Sequence, residues 1–213
     1  MVLLRWCAKP YKQNFPQNSM NQYRRKLLNA VLFFAKAKKV KHLNTTKLSK
    51  LLYFFDFTHV KQTGYPAIGL QYYAFDRGPV PKNFWLEIKD GNVPDDFQKK
   101  LAIVVHKDDY EEYKELDFRA KSAPDMNVFT PREQKILKEL AYIYKEATAK
   151  DMSEISHLKN QPWDRTYHQK GQNASIDYQL ALDTDIECDP SEAKELLREH
   201  FEIVKNFALS PTR

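Results

Sequence analysis

The chain has 213 residues, 42% of them hydrophobic and 13% aromatic, with a mean hydropathy of −0.67 and a net charge of +6. That is enough apolar material for a core under a strongly polar surface, so disorder is excluded as the default. Two distant cysteines, Cys7 and Cys188, give no disulfide framework, and no apolar run is long enough to span a bilayer or to serve as a signal-peptide core. These features predict a cytoplasmic chain with no membrane association.

Residues 1–19, broken by Pro10 and Pro16, read as an N-terminal extension. Residues 21–41 predict an amphipathic helix. Leu27, Leu28, Val31, Leu32, Phe34 and Ala35 form its stripe, and Lys36, Lys38, Lys39 and Lys41 gather at its negative end. A second helix opens at Asn44 or Thr45, carries Leu48, Leu51, Leu52, Phe55 and Val60, and ends at Gly64. An aromatic strand follows from Leu70 to Phe75. It runs into Gly78-Pro79-Val80-Pro81, which reads as a stiff corner, and Pro81 then starts a helix over 82–89 that Gly91 ends.

The β-branched run at 101–105 predicts a strand, with 116–120 as its hairpin partner; residues 109–114 between them also admit a helix. Thr130-Pro131-Arg132-Glu133 has the form of a capping box. It opens a helix with Ile136, Leu137, Leu140, Ile143 and Tyr144 inward. A short helix from about Lys150 turns Met152 and Ile155 inward, and a last one, capped by Ser191, carries Leu196, Leu197, Phe201 and Val204. The fold class is mainly α with a small antiparallel β element, in a single compact domain.

Charge is unevenly spread. Residues 1–61 hold 13 basic residues and one acid, Asp56, a balance of +12; the remaining 21 basic and 27 acidic residues give −6. Such a basic third attracts nucleic acid, acidic lipid or an acidic protein, or else is a solvated helix face that pairs in part with the acidic half of its own chain. The helix pair at 131–158 admits a DNA-reading helix-turn-helix, but its second helix is poor in base-reading side chains. Five glycines form no phosphate loop, and no histidine or cysteine spacing suits a metal, so neither cofactor nor metal is expected. Asp56, on an apolar helix with His59 three residues on, is either half of an acid–base pair or a structural acceptor for a neighbouring loop.

The ordered motifs carry more than any one of them. Lys50 to His59 is followed by Gly64, by Tyr72-Tyr73-Ala74-Phe75, and by Gly78-Pro79-Val80-Pro81. Phe129-Thr130 with Glu133, Met152 to His157, and Pro162-Trp163 come later. Over about residues 20–170 this order resembles the Panacea domain, or SocA-like antitoxin domain, with 171–213 as a helical extension packed on it. Asp76 departs from the pattern, since many relatives have an apolar-then-aromatic approach to the glycine.

The resemblance implies a non-enzymatic antitoxin, encoded beside a toxin gene, often in a bacterial prophage. It implies neutralisation of the cognate toxin by direct protein–protein binding, with an ATP-dependent protease as a further partner where the domain acts as an adaptor. The partner surface is expected at Tyr72, Tyr73, Asp76, Arg77, Pro79, Pro81, Lys82 and Trp85. His157 and Trp163 complete it. Nucleic-acid binding through the basic first helices is the alternative.

Overall fold

A computed structural model describes residues 22–37, 40–89, 93–106, 115–183 and 186–209. At its centre stands α2 (Thr45–Thr63), buried on every side rather than along one stripe. Asn44 caps it, its side chain accepting from the Lys47 N–H at 2.9 Å. Gly64 ends it in the left-handed region at φ 83°, donating its N–H to Val60 O. Around α2 lie α1 (Gln22–Lys36), α5 (Pro131–Ile143), α6 (Ala149–Ser156), α7 (Pro162–Lys170) and α8 (Pro190–Leu209). Short helices α3 (Lys82–Ile88) and α4 (Asp95–Gln98) are the remaining two.

Two cores flank the pillar. The larger joins α1, α5 and the strands β3 (Leu101–His106) and β4 (Glu115–Ala120) through Leu28, Leu32, Leu51, Phe55, Leu116, Phe118 and Leu137. The smaller gathers Tyr53, Phe57 and Val60 of α2 with Trp163, Ile176, Tyr178, Ala193 and Leu197. The N-terminal extension lies outside the described residues, as do Gly91 and residues 109–114.

The expected β3–β4 hairpin forms, antiparallel, with Leu101 opposite Ala120 and Val105 opposite Leu116. The capping box also forms: Thr130 Oγ1 accepts from the Glu133 N–H, and Glu133 accepts from the Thr130 N–H. Other expectations need correction. Helix α1 stops at Lys36, because the backbone of Lys41 is claimed elsewhere, its N–H by Lys145 O and its carbonyl by Lys47 Nζ. Ile143 is 63% exposed, since α5 ends as it passes the core. The cap of α8 is Asp189, which accepts from Ser191 and Glu192 N–H, while Ser191 lies inside the helix. Phe201 is exposed.

The largest correction concerns Gly78-Pro79-Val80-Pro81. It is not a corner but the return strand β2 (Gly78–Pro81) of a hairpin with β1 (Tyr72–Phe75). Asp76 and Arg77 make the two-residue turn without a positive φ, so Gly78, at φ 99°, takes the left-handed step that lets the strands close. Neither edge of this ribbon is free. The outer groups of β1 bond to the chain at 173–176, and Ile176 N–H donates to Tyr72 O at 2.9 Å. On β2, Pro79 and Pro81 put their missing N–H groups on the outer side, where Pro79 O already accepts from Lys50. A further strand has no ladder to join.

Gly64 also meets α8 closely. A Cβ there would lie 2.8 Å from Ala193 Cα and 3.0 Å from Ala193 O. Gly64→Ala should therefore cost about 2 kcal/mol or more, a fall in Tm of roughly 4–8 °C for a domain this size. Thermal melts check the loss, and limited proteolysis should place the first new cleavage in α8.

Candidate functional site

A helix buried over most of its length leaves little surface for a charge, yet α2 carries Lys47, Lys50, Asp56 and His59, all buried. Each must be satisfied individually. Lys47 Nζ donates to the carbonyls of Lys41, Lys145 and Ala147 at 2.8, 3.2 and 2.7 Å, tying two loops to the pillar. His59 Nδ1 donates to Tyr65 O at 2.7 Å. Its Nε2 lies 3.9 Å from Glu133, the carboxylate that holds Lys26 Nζ at 2.6 Å.

Asp56 is fully buried and accepts five hydrogen bonds. Oδ1 takes the N–H groups of Ile68 and Gly69 at 2.6 and 3.2 Å. Oδ2 takes Leu70 N–H and the hydroxyls of Tyr72 and Tyr178 at 3.2, 3.0 and 3.1 Å. Burial pushes its pKa up, and the donors pull the other way. Of the two readings of Asp56, the structural acceptor for a neighbouring loop is the one that holds. His59 turns to Tyr65 and Glu133 instead.

This carboxylate fixes residues 68–72, and so the root of the β1–β2 hairpin. The underside is held by α2 and α6. Lys50 Nζ donates to Pro79 O at 3.1 Å, and Ser153 Oγ donates to Arg77 O at 3.1 Å. Gly78 is required here for a second reason. A Cβ would fall 2.7 Å from Lys50 Cε and 2.9 Å from its Nζ, and closer still to Ser156 Oγ. Burial pulls the Lys50 pKa down to about 7.

The side of the hairpin is held by α7, a helix that the sequence reading did not assign. Trp163 Nε1 donates to Phe75 O at 3.0 Å. Its ring is stacked between His157, at 3.8 Å between centroids, and Tyr167, at 4.8 Å. Tyr167 OH and Gln172 Nε2 then donate to the two oxygens of Asp76, each at 2.7 Å. Burial, and Lys50 nearby, lower the His157 pKa; stacking, not a bond to a carbonyl, is what places its ring.

The expected partner residues therefore divide. Tyr72, Pro79, Pro81 and Trp163 are buried and belong to the hairpin's support. Asp76 and Arg77 are exposed at its tip; Tyr73, Lys82, Trp85 and His157 are half-buried. Pro81 is the residue before α3, not its first. Sequence reasoning missed Lys50, Tyr167, Gln172 and Tyr178 as supports. The available signal for Lys50 was a cation inside a helix with apolar residues on every face.

The basic N-terminal third also resolves differently from a free cationic face. Lys26, Lys47 and Lys50 are buried, Arg24 bridges Glu87 and Asp96 at 2.7 and 2.8 Å, and Lys41 pairs with Glu146 at 2.9 Å. Much of the +12 is thus turned inward or matched by acids later in the chain. Helix α6 carries Asp151 in its first turn, bonded to Thr148, where a DNA-reading helix would meet phosphate.

Among the described residues no helix is long and apolar enough to cross a membrane, and no group of three or more His, Cys, Asp or Glu is placed to hold a metal. Fold and site together define a helical domain that clamps a β-hairpin against its central helix. The family described as Antitoxin SocA-like, Panacea domain matches residues 48–164, more than half of the chain, and the chain belongs to that family. The match begins at Leu48 and takes in α2, the hairpin, α5, α6 and the start of α7, while α1 and α8 lie outside it. No curated protein and no solved structure matches the chain.

Two changes test the clamp. Asp56→Asn puts amide hydrogens against N–H and O–H donors, and should destabilise the fold by on the order of 3 kcal/mol in denaturant melts. Lys50 is neutral in the fold above pH about 7 and charged in the unfolded chain until about pH 10. The unfolded state thus binds the extra proton between those values, and stability rises with pH across that window. Lys50→Met should remove this rise, seen as a gap between wild type and variant that changes from pH 7 to pH 10.

Proposed function

We propose that this chain is an antitoxin that acts in the cytoplasm, neutralising its cognate toxin by direct binding and catalysing no reaction itself. Membership of the SocA-like family supports the antitoxin role. The observation that carries the binding mode is the hairpin held on three sides, with Tyr73, Phe75 and Trp85 half-exposed along its outer face. Rigid aromatic surface is what tight protein interfaces are built on, because little entropy is lost when it is covered. Main-chain pairing is a poor route to the same end, since both edges of the ribbon are closed. Nucleic-acid binding has less to recommend it, because so many of the N-terminal cations are buried or paired.

Delivery of the bound toxin to an ATP-dependent protease is a finer form of the same proposal. Both forms are tested with the protein encoded by the adjacent reading frame. That protein should arrest growth when induced alone. Co-expression of this chain should restore growth and give a complex that survives purification. If toxin levels also fall, and recover when the protease is absent, the adaptor form holds; unchanged toxin levels leave neutralisation by occupancy. A neighbour that arrests growth but is neither bound nor relieved overturns the proposal.

A further inference from the structure

Helix α3 buries Phe84 and Ile88 and leaves another stripe outward. Lys82, Trp85, Leu86 and Lys89 stand at i, i+3, i+4 and i+7, so they share one face, with the two lysines about 10 Å apart along the axis. Lys89 keeps helical geometry at the end of the helix and donates its N–H to Trp85 O. Leu86 is 46% exposed. Both ammonium groups lie over aromatic rings: Lys82 Nζ is 5.1 Å from the Tyr73 centroid, and Lys89 Nζ is 5.4 Å from that of Trp85. Phe75 joins the same surface, 6.3 Å from Trp85. The stripe is thus continuous with the outer side of β1, and Arg77 is exposed at the hairpin tip.

Among the described residues, three acids close to this stripe have partners elsewhere. Glu87 and Asp96 are both held by Arg24, and Asp76 is held by Tyr167 and Gln172. What remains is an apolar centre, Trp85 and Leu86, with a cation at each end. Ammonium groups resting on rings are partly desolvated and fixed in place, so less is lost when a carboxylate reaches them.

We propose that this face docks an acidic amphipathic segment of a protein partner, with apolar residues over Trp85 and Leu86 and a carboxylate opposite each of Lys82 and Lys89. The proposal rests on the antitoxin reading and states the chemistry that the toxin must offer. The chain's own residues 1–21 are poor occupants, because they carry Arg5, Lys9 and Lys12 and no acid. A nucleic-acid strand fits less well: Leu86, at the centre, offers no stacking surface to a base, and the two fixed cations do not form a phosphate track.

The test is selection of random 16-residue peptides displayed on phage against the full chain, followed by affinity measurements on the enriched sequences. The expected peptides carry Asp or Glu on both sides of apolar residues, and bind more weakly as salt rises. The double change Lys82→Glu with Lys89→Glu should weaken them at least tenfold, as should Leu86→Asp. Peptides with Lys in place of the acids should prefer the charge-reversed protein to wild type, a swap that a misfolded variant would not show. Far-ultraviolet circular dichroism of the variants, which lie on the surface, should match wild type.

Peptides without acidic bias, peptides indifferent to these changes, or no enrichment at all would overturn the proposal. So would tighter binding of a 15-nucleotide oligo(dT) that the charge reversal abolishes, which would assign the face to nucleic acid. A charge-reversed chain that still relieves growth arrest removes this surface and leaves the antitoxin reading standing. A wild-type chain that selects acidic peptides but relieves nothing does the opposite.

Discussion

Five donors converge on the Asp56 carboxylate from one loop, a strand and a distant 3-10 turn (Tyr178–Asp183), and the placement of the hairpin follows from that meeting. A bare carboxylate in this position would be untenable. Supplied with three backbone N–H groups and two hydroxyls, it becomes the point that fixes residues 68–72 relative to α2. Tyr178 carries a single hydroxyl proton and faces both Asp56 and Leu70 O, at 3.1 and 2.6 Å. The same atom therefore ties the C-terminal part of the chain to the hairpin's root. Burying a polar group at such cost is reasonable where one arrangement of several segments has to be selected over near alternatives.

The other buried charges of α2 work to the same end at different heights. Lys47 gathers two loops, Lys50 seats the return strand, and His59 holds the turn after the helix. One helix is thereby connected to segments up to 100 residues away without exposing any of these groups. The functional consequence lies in the hairpin. Its root, underside and flank are each held by a separate element, and the outward side is left with aromatic rings, Leu86 and two lysines. A face ordered in advance loses little entropy if a partner covers it.

Much of the fold was legible because local chemistry and tertiary structure agreed. The capping box at Thr130, the Gly64 stop, the β3–β4 pair, the stripe of α1 and the first part of the stripe of α5 each follow from local composition and spacing. The hairpin was misread because its evidence is non-local. Two prolines in four residues argue against a strand, and only the pairing with Tyr72–Phe75, together with the closed outer edge, explains how they are accommodated. Helix α7 was missed because its helix start, Pro162, was read as part of a motif rather than as a first helical position. Asp56 stood out in the sequence as a charge among aromatics, but its five donors come from 12 to 122 residues away, and no periodicity reports that distance. The same holds for the site: the aromatic residues were named, but which face outward depends on the parity of β1 and on α7.

On the proposed function, the hairpin and α3 form a rigid face before any partner arrives. Hydrogen–deuterium exchange of the free chain, and of its complex with the adjacent gene product, tests it directly. The amides of Ile68, Gly69, Leu70 and Ala74 should exchange slowly in the free chain, and the partner should add protection across residues 73–89 with little change in α8. Rapid exchange of the free hairpin that slows only on binding, or protection falling on α8 and sparing α3, would contradict it.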